Sequence, residues 1–380
     1  MPREILIVTT VALTIESFLI PYAEELRRRG WTVCTAAQGA MKSPTIRDAF
    51  DAVFDVPFAR NPLAMRNLRA GFLMRGITRS RSFSLIHVHT PVASFVTRLA
   101  LGPMRNRGRE KGVKILYTAH GFHFHPHGKP VTNFIFETLE RVGSPFTDVL
   151  FVMNRYDLAR AREMRLAPRI EFVPGVGVDL SFFDPPAVGA DEVSCLLGEL
   201  GIPGGLPYFV YVAEFNPGKR HSDLVEAMGL VRRDCCVVLV GDGRLRSNVE
   251  AMVSQAGLAH RFRFAGFRRR EEVRALLKGS SGLLFPSSRE GLPRSVIEAM
   301  AMGKLVIGAD SRGTVDLLEE GRGWLYPVGD VPELARLIER ALDEPREAQE
   351  AGEAARDYVV RNMDVRKLVS SYADLCESLI

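Results

Sequence analysis

The chain has 380 residues, 46% of them apolar and 25% charged, which is too long for one ordinary core and too apolar for a disordered protein. No low-complexity tract and no solenoid repeat interrupts it, so two globular domains of roughly 150 to 200 residues each are expected. The net charge of +5 is unevenly spread: residues 1–180 hold 25 basic against 15 acidic side chains, and the rest hold 25 against 30.

From the amino-terminal end, EILIV at 4–8 reads as a strand, and IESFLIPYAEELRRRG after it reads as a helix that stops in basic residues and Gly30. The stretch 5–23 is the most membrane-like in the chain. Glu16, Pro21 and its alternation of polar and apolar positions disqualify it as a span. It lacks a basic leader and a small-residue cleavage site, so a cytoplasmic protein is expected. Further strands are expected at 32–36, 85–89, 114–119, 148–153 and 170–174, and strands alternating with amphipathic helices give an α/β fold with a doubly wound parallel sheet.

Between residues 60 and 109 stand ten arginines (60, 66, 69, 75, 79, 81, 98, 105, 107 and 109) and no acid. In ARNPLAMRNLRAGFLMRGITRSR they interleave with Leu63, Met65, Leu68, Phe72, Leu73 and Met74. Two readings fit: an amphipathic helix lying on anionic lipid, or a domain helix with a solvated basic face. Nucleic acid is not an expected partner, since there is no recognition module and no aromatic stacking platform. Six of the eight histidines (87, 89, 120, 123, 125 and 127) follow in IHVHT and TAHGFHFHPHG. Apart from Glu110, no carboxylate lies among them before Glu137 to complete a ligand set, so no metal site is expected. His120, at the carboxyl end of a strand and next to Gly121, is the candidate to meet a reacting substrate.

A Gly- and Pro-rich stretch at 173–190 marks a linker, after which strands at 208–213, 235–240, 262–266, 282–286, 305–309 and 323–327 build a second sheet of the same kind. Ligands in such sheets bind beyond the carboxyl ends of the strands. Three loops there carry chemistry. AEFNPGKRHSDLV places Lys219 and Arg220 at a helix start, where cations oppose the dipole unless an anion is near. GDGRLR brings Gly241 after a strand in neither a dinucleotide nor a P-loop pattern. SSREGLPRSVIEAMAMG puts Pro293 in the first turn of a helix, with the amides of Gly291 and Leu292 open to an anion and Glu290 and Glu298 on either side. A nucleotide sugar fits that arrangement, and so does an acidic helix start paired with its own dipole. Five scattered cysteines without a CxxC pair read as reduced, mostly buried thiols.

With these residues in place, the chain resembles the family 4 glycosyltransferases, which are retaining and have the GT-B fold, and it is similar to bacterial members that build capsule, exopolysaccharide or O-antigen units. TAHGFHFHPHG, FVPGVGVDLSFFDP, LVGDGRLR, FAGFRRREEV and EGLPRSVIEAMAMG carry the resemblance, the last being the family's E-x7-E motif. It implies two Rossmann-like doubly wound domains facing across a cleft: 1–184 for the acceptor, 185–345 for the donor, and helices in 346–380 packing back towards the first domain. It implies transfer of a hexose or N-acetylhexosamine from a UDP-sugar to a lipid-linked saccharide, with no cofactor and no protein-bound metal. Glu298 would take the ribose, Gly291 and Leu292 the sugar and phosphate, Glu290 the sugar hydroxyls, Lys219 with Arg220 the diphosphate, and Gly241, Phe267 and Arg268 the rest of the donor. His120 and Glu290 would be catalytic; Thr10, Glu16 and His123 would face the acceptor. The basic amino-terminal lobe would rest on the inner face of an anionic membrane. Two departures stand out: Ala213-Glu214-Phe215 replaces the family's Gly-Arg-Leu, and TTVALTIES (9–17) replaces a Gly-Gly acceptor loop. A UDP-sugar 2-epimerase of the same fold and a nucleotide-sugar-binding protein without turnover are the alternatives.

Overall fold

Strands covered on both faces read as near-continuous apolar runs, and those of this chain do. The computed structural model describes residues 2–62, 64–102, 112–125 and 128–380, so the expectations for Leu63, Arg105, Arg107, Arg109 and His127 lie outside the described residues. The chain divides into two compact units, one of residues Met1–Val176 with Val365–Ile380, the other of Gly177–Asp364.

In the first unit the order is β1 (Glu4–Val11), α1 (Ala12–Phe18), α2 (Ile20–Arg28), β2 (Thr32–Gln38), α3 (Pro44–Ala49), β3 (Ala52–Asp55), α4 (Arg66–Ser80), β4 (Leu85–His89), α5 (Pro91–Leu101), β5 (Lys114–Ala119), α6 (Pro130–Gly143), β6 (Val149–Val152), α7 (Arg155–Glu163) and β7 (Arg169–Phe172). The strands pair in parallel in the order β3-β2-β1-β4-β5-β6-β7. Strand β3 was not expected from the sequence: AVFD is four residues long, half-exposed and at the sheet edge. The stretch TTVALTIES is not an open loop either, because β1 runs to Val11 and passes directly into α1.

The second unit runs α8 (Ala190–Glu199), β8 (Tyr208–Val212), α9 (His221–Leu230), β9 (Cys236–Val240), α10 (Arg246–Gln255), β10 (Phe262–Gly266), α11 (Arg270–Gly279), β11 (Gly282–Phe285), α12 (Arg294–Ala301), β12 (Val306–Ala309), α13 (Arg312–Leu318), β13 (Trp324–Tyr326), α14 (Val331–Asp343) and α15 (Pro345–Asn362). Its parallel order is β10-β9-β8-β11-β12-β13. The units part at Val176 and Gly177 rather than after Asp184, and α15 stays with the second unit. Only α16 (Val365–Ser378) belongs to the first, packed against α2.

Both sheets reverse their strand order once, between β1 and β4 and between β8 and β11. Loops that leave neighbouring strands in opposite directions open a crevice at that point, and ligands settle there in doubly wound sheets. Buried cores flank both sheets, with Leu6, Val8 and Ile86 on one face of the first and Ile5, Ile7 and Leu116 on the other. Cys34, Cys235, Cys236 and Cys376 are buried free thiols, whereas Cys195 is exposed.

Candidate active site

At the reversal point of the second sheet, the loops after β8 and β11 are tied by side chains. Lys219 Nζ lies 2.5 Å from Glu290 Oε1. Ser287 Oγ donates to the same carboxylate, and the Gly218 carbonyl accepts from Ser288 N at 3.0 Å. Tyr211 OH reaches back from β8 to the Lys219 carbonyl at 2.7 Å. The anion that justifies Lys219 is therefore Glu290 itself, and Arg220 likewise holds Asp223 at 2.6 Å. An anion arriving at this point would compete with Glu290 for Lys219.

Pro293 is the residue just ahead of α12 rather than its first residue, with extended backbone (φ −75°, ψ 118°). Gly291 and Leu292 form the bend before it. Their position is set from below: a Cβ on Gly313, at the start of α13, would come within 1.8 Å of the Gly291 carbonyl oxygen. Arg312 Nε donates to the Glu290 carbonyl at 3.2 Å. Glu298 is buried in α12 with Arg294 Nε at 2.9 Å. Burial raises its carboxyl pKa, and Arg294 and Arg270 oppose the rise.

Other donor-side expectations are altered by the packing. Gly241 and Gly243 are glycines because the 213–215 loop lies on them: a Cβ on Gly241 would meet the Ala213 oxygen at 2.1 Å, and the Gly241 amide is spent on the Gly266 carbonyl at 2.8 Å. Arg268 is engaged by Glu199 at 2.7 Å and Glu272 at 2.8 Å. Phe267 beside it is 86% exposed, an open aromatic face. Glu214 is exposed and accepts from Asn216 Nδ2 at 3.1 Å.

In the first unit, the reversal point is closed by Thr10 and Thr90, whose hydroxyl oxygens are 2.7 Å apart. Thr90 has a positive φ of 64° between β4 and α5, a costly conformation for a β-branched residue, and such strain gathers at functional sites. Next to it lies a histidine chain. His120 Nε2 is 3.0 Å from His89 Nδ1, the His89 and His87 rings are 4.0 Å apart, and His87 is held between Tyr372 OH at 2.6 Å and Thr118 Oγ1 at 2.7 Å. His89 Nε2 is buried without a hydrogen-bond partner. All three border a cavity of about 380 Å³, walled by apolar residues such as Leu19, Phe151 and Leu375. Burial lowers their pKa values, His87 to about 3 and His120 to about 4, so all three are neutral near pH 7. Among the described residues, no group of three or more His, Cys, Asp or Glu is arranged to hold a metal ion.

The acceptor-side residues each have partners of their own. Thr10 is buried at the reversal point, Glu16 is exposed on α1 and bonded to Ser43 Oγ, and the His123 ring packs on Phe136 at 4.7 Å. Sequence reasoning missed His89, Thr90 and Ser287. The HVHT and PSSRE strings placed them at strand ends, which was the available signal.

Comparison with known proteins adds an independent line. Residues 197–358 match the glycosyl transferases group 1, and residues 17–175 match a glycosyl transferase 4-like domain. EpsD of Bacillus subtilis (strain 168), which carries a glycosyltransferase name, is 30% identical over 381 residues, 99% of this chain and 96% of that one. The UDP-Gal:alpha-D-GlcNAc-diphosphoundecaprenol alpha-1,3-galactosyltransferase of Escherichia coli is 23% identical over 86% of this chain and 84% of its own length. Among solved structures, Anabaena Alr3699/HepE in complex with UDP and glucose superposes with a TM-score of 0.80 at 19% identity, covering 99% of both chains. A glycosyltransferase from Rickettsia africae ESF-5 does so with a TM-score of 0.80 at 19% identity, over 100% and 98%.

Proposed function

This chain belongs to the group 1, family 4-like glycosyltransferases of GT-B fold, and from that premise we propose that it is a retaining transferase moving a hexose or N-acetylhexosamine from a UDP-sugar to a lipid-linked saccharide. The observation that carries the donor half is the Lys219–Glu290 pair at the reversal point of the second sheet, with the Gly291-Leu292 bend beside it and buried Glu298 one helical turn on. Lys219 and the amides ahead of α12 supply positive charge where the departing diphosphate becomes more negative, and preorganised donors of that kind contribute most where water is excluded. Glu290, released from Lys219, accepts sugar hydroxyls. Glu298 accepts both ribose hydroxyls, and a buried carboxylate held by one arginine has lone pairs left for them. No protein-bound metal is required, because these groups supply the counter-charge. His120, neutral at pH 7, acts as a hydrogen-bonding partner of the reacting sugar rather than as a cation.

The Escherichia coli galactosyltransferase, named for a UDP-Gal donor and a GlcNAc-diphosphoundecaprenol acceptor, supports a saccharide acceptor on a lipid carrier. No described helix is long and apolar enough to cross a membrane, and the basic amino-terminal half supports peripheral attachment to the inner face of an anionic membrane. Incubation with a panel of UDP-sugars and lipid-linked acceptors tests the reading: product should depend on both substrates. Glu298→Ala should lower kcat/KM by about a hundredfold, the loss of two hydrogen bonds to a charged acceptor. Full activity in that variant overturns the role of Glu298, and conversion of donor to its 2-epimer without acceptor overturns transfer.

A further inference from the structure

More than half of the large apolar side chains exposed among the described residues stand on two helices: Met65, Leu68, Phe72 and Leu73 on or just ahead of α4, and Val131, Phe134, Ile135 and Val142 on α6. Scattered exposed apolar residues need no explanation, but a stripe does. Positions 131, 134, 135 and 142 share one face of a helix, and on that face Phe134 is 72% exposed. Helix α6 is locked in this orientation by what it turns inward. Glu140 is buried between Arg98 Nη2 at 2.9 Å and Tyr117 OH at 2.8 Å, and Asn133 Nδ2 donates to the His125 carbonyl at 2.8 Å. The inner side holds Phe136 and the buried Glu140, and a second, apolar face at 131, 134, 135 and 142 is left outside, which a helix that serves only its own core does not need.

Helices α4 and α6 each pack on α5 between them, which at ordinary helix spacing sets them about 20 Å apart. Between α4 and α5 runs an apolar groove of about 430 Å³, bordered by Leu68, Gly71, Phe72, Val96, Leu99 and Ala100; this is within the roughly 300 to 1,000 Å³ of small-ligand pockets. Its surroundings are basic: α4 carries Arg66, Arg69, Arg75 and Arg79 and no acid, and Lys129 and Arg141 are exposed at the two ends of α6. The one acid half-exposed on α6, Glu137, is paired with Arg160 at 3.1 Å. A second copy of the chain docked here would set arginines against arginines. Lipid phosphates would meet them with opposite charge while the aromatic and aliphatic side chains enter the interface.

We propose that α4 and α6 form a two-helix face that lies on an anionic phospholipid bilayer, with the α4–α5 groove receiving one acyl chain from that bilayer. The proposal rests on the membrane part of the reading above and not on sugar transfer, and it adds α6 and the groove to the arginine-rich helix.

Flotation of the full chain with vesicles of phosphatidylglycerol and phosphatidylcholine tests it. Binding is expected to the mixed vesicles and not to pure phosphatidylcholine, and to fall in high salt. Phe72→Glu and Phe134→Glu should each weaken vesicle binding about tenfold or more, whereas Leu230→Glu, exposed on the second unit, should not. Phe134→Trp, which keeps a ring in place, should show a blue-shifted emission on adding the mixed vesicles. Failure of the full chain to float overturns the proposal. Flotation of Phe134→Glu equal to that of the parent, or an unshifted Trp, overturns the part played by α6. A dimer in solution that Phe134→Glu dissociates, or capture by an acidic protein in place of vesicles, overturns the bilayer as occupant. A chain that floats but transfers no sugar refutes the transferase reading and supports the docking face, so the two failures are distinguishable.

Discussion

His87, His89 and His120 are the residues whose surroundings most constrain their chemistry. A buried imidazole is kept neutral because its cation would lose water that nothing replaces, and in His87 the neighbouring His120 adds to that effect. The hydrogen bonds around them suit neutral rings: His87 can donate from one nitrogen and accept at the other, with Tyr372 OH and Thr118 Oγ1 able to serve as complementary partners. The linkage has a definite sign. In the unfolded chain these rings titrate near pH 6.5, whereas folded His120 titrates at about 4, His87 at about 3 and His221 of the second unit at about 4. Between those values the unfolded state binds more protons, so their contribution to stability is complete above pH 6.5 and is lost as pH falls towards 4. Each such histidine changes stability by about 1.4 kcal/mol per pH unit within the window. Urea denaturation at pH 7 and pH 5.5 should therefore show a lower midpoint at the lower pH with an unchanged slope. In His87→Gln, which keeps a donor and an acceptor, the midpoint should shift less between the two pH values even though the variant starts from lower stability. An equal shift in both proteins would refute the assignment to these rings.

Among the elements, α12 and α13 decide how the donor loop stands. The start of α13 is pressed so close to the Gly291 carbonyl that Gly313→Ala must push the bend away, because backbone cannot yield as a flexible side-chain end can. The expected result is UDP binding weakened about tenfold or more by calorimetry, for a displacement that costs hydrogen bonds to the ligand, with the second unit still folded by circular dichroism. Binding equal to the parent's would show that the bend does not hold the nucleotide. The candidate residues of this loop could be named from the sequence because the motif is local: Glu290, Gly291, Leu292 and Glu298 fall in one loop and the helix after it. Their partners could not. Lys219 meets Glu290 across 71 positions and His89 meets His120 across 31, pairings set by which strands are neighbours and in what register. Most strands were legible as apolar runs ended by Gly or Pro, but AVFD of β3 is short and half-exposed. In VTNFIFETLERV of α6, periodicity finds the apolar face at 131, 134, 135 and 142, and it would ordinarily be taken as the buried one. The buried Arg98–Glu140 pair reverses that choice.

The chain as a whole crosses between its units twice, at Val176–Gly177 and at Asp364–Val365, so the first unit is completed only by the last residues of the sequence. This is more than a tether. Helix α16 buries Val369, Tyr372, Ala373 and Cys376, with Leu379 just beyond it, and Tyr372 supplies the hydroxyl that holds His87 Nδ1. Arg29 closes α2 onto it through Asp374 at 2.5 Å and Ser370 Oγ at 2.8 Å. Side chains of the size of Val, Tyr and Leu contribute about 1.5 to 3 kcal/mol each when buried, so the helix accounts for roughly 5 kcal/mol or more, comparable with the whole stability of many domains. Ending the chain at Asp364 should therefore unfold the first unit selectively, since the removed helix belongs to that unit. Limited proteolysis should then cut within residues 2–176 while a fragment near 177–364 resists, and the thermal melt should keep one transition where the full chain has two or a single merged one. UDP binding, which the proposed function assigns to Lys219, Glu290 and Glu298 of the second unit, should survive the truncation while sugar transfer is lost. Transfer at the parent rate by the truncated chain would show that the first unit does not need its returning helix.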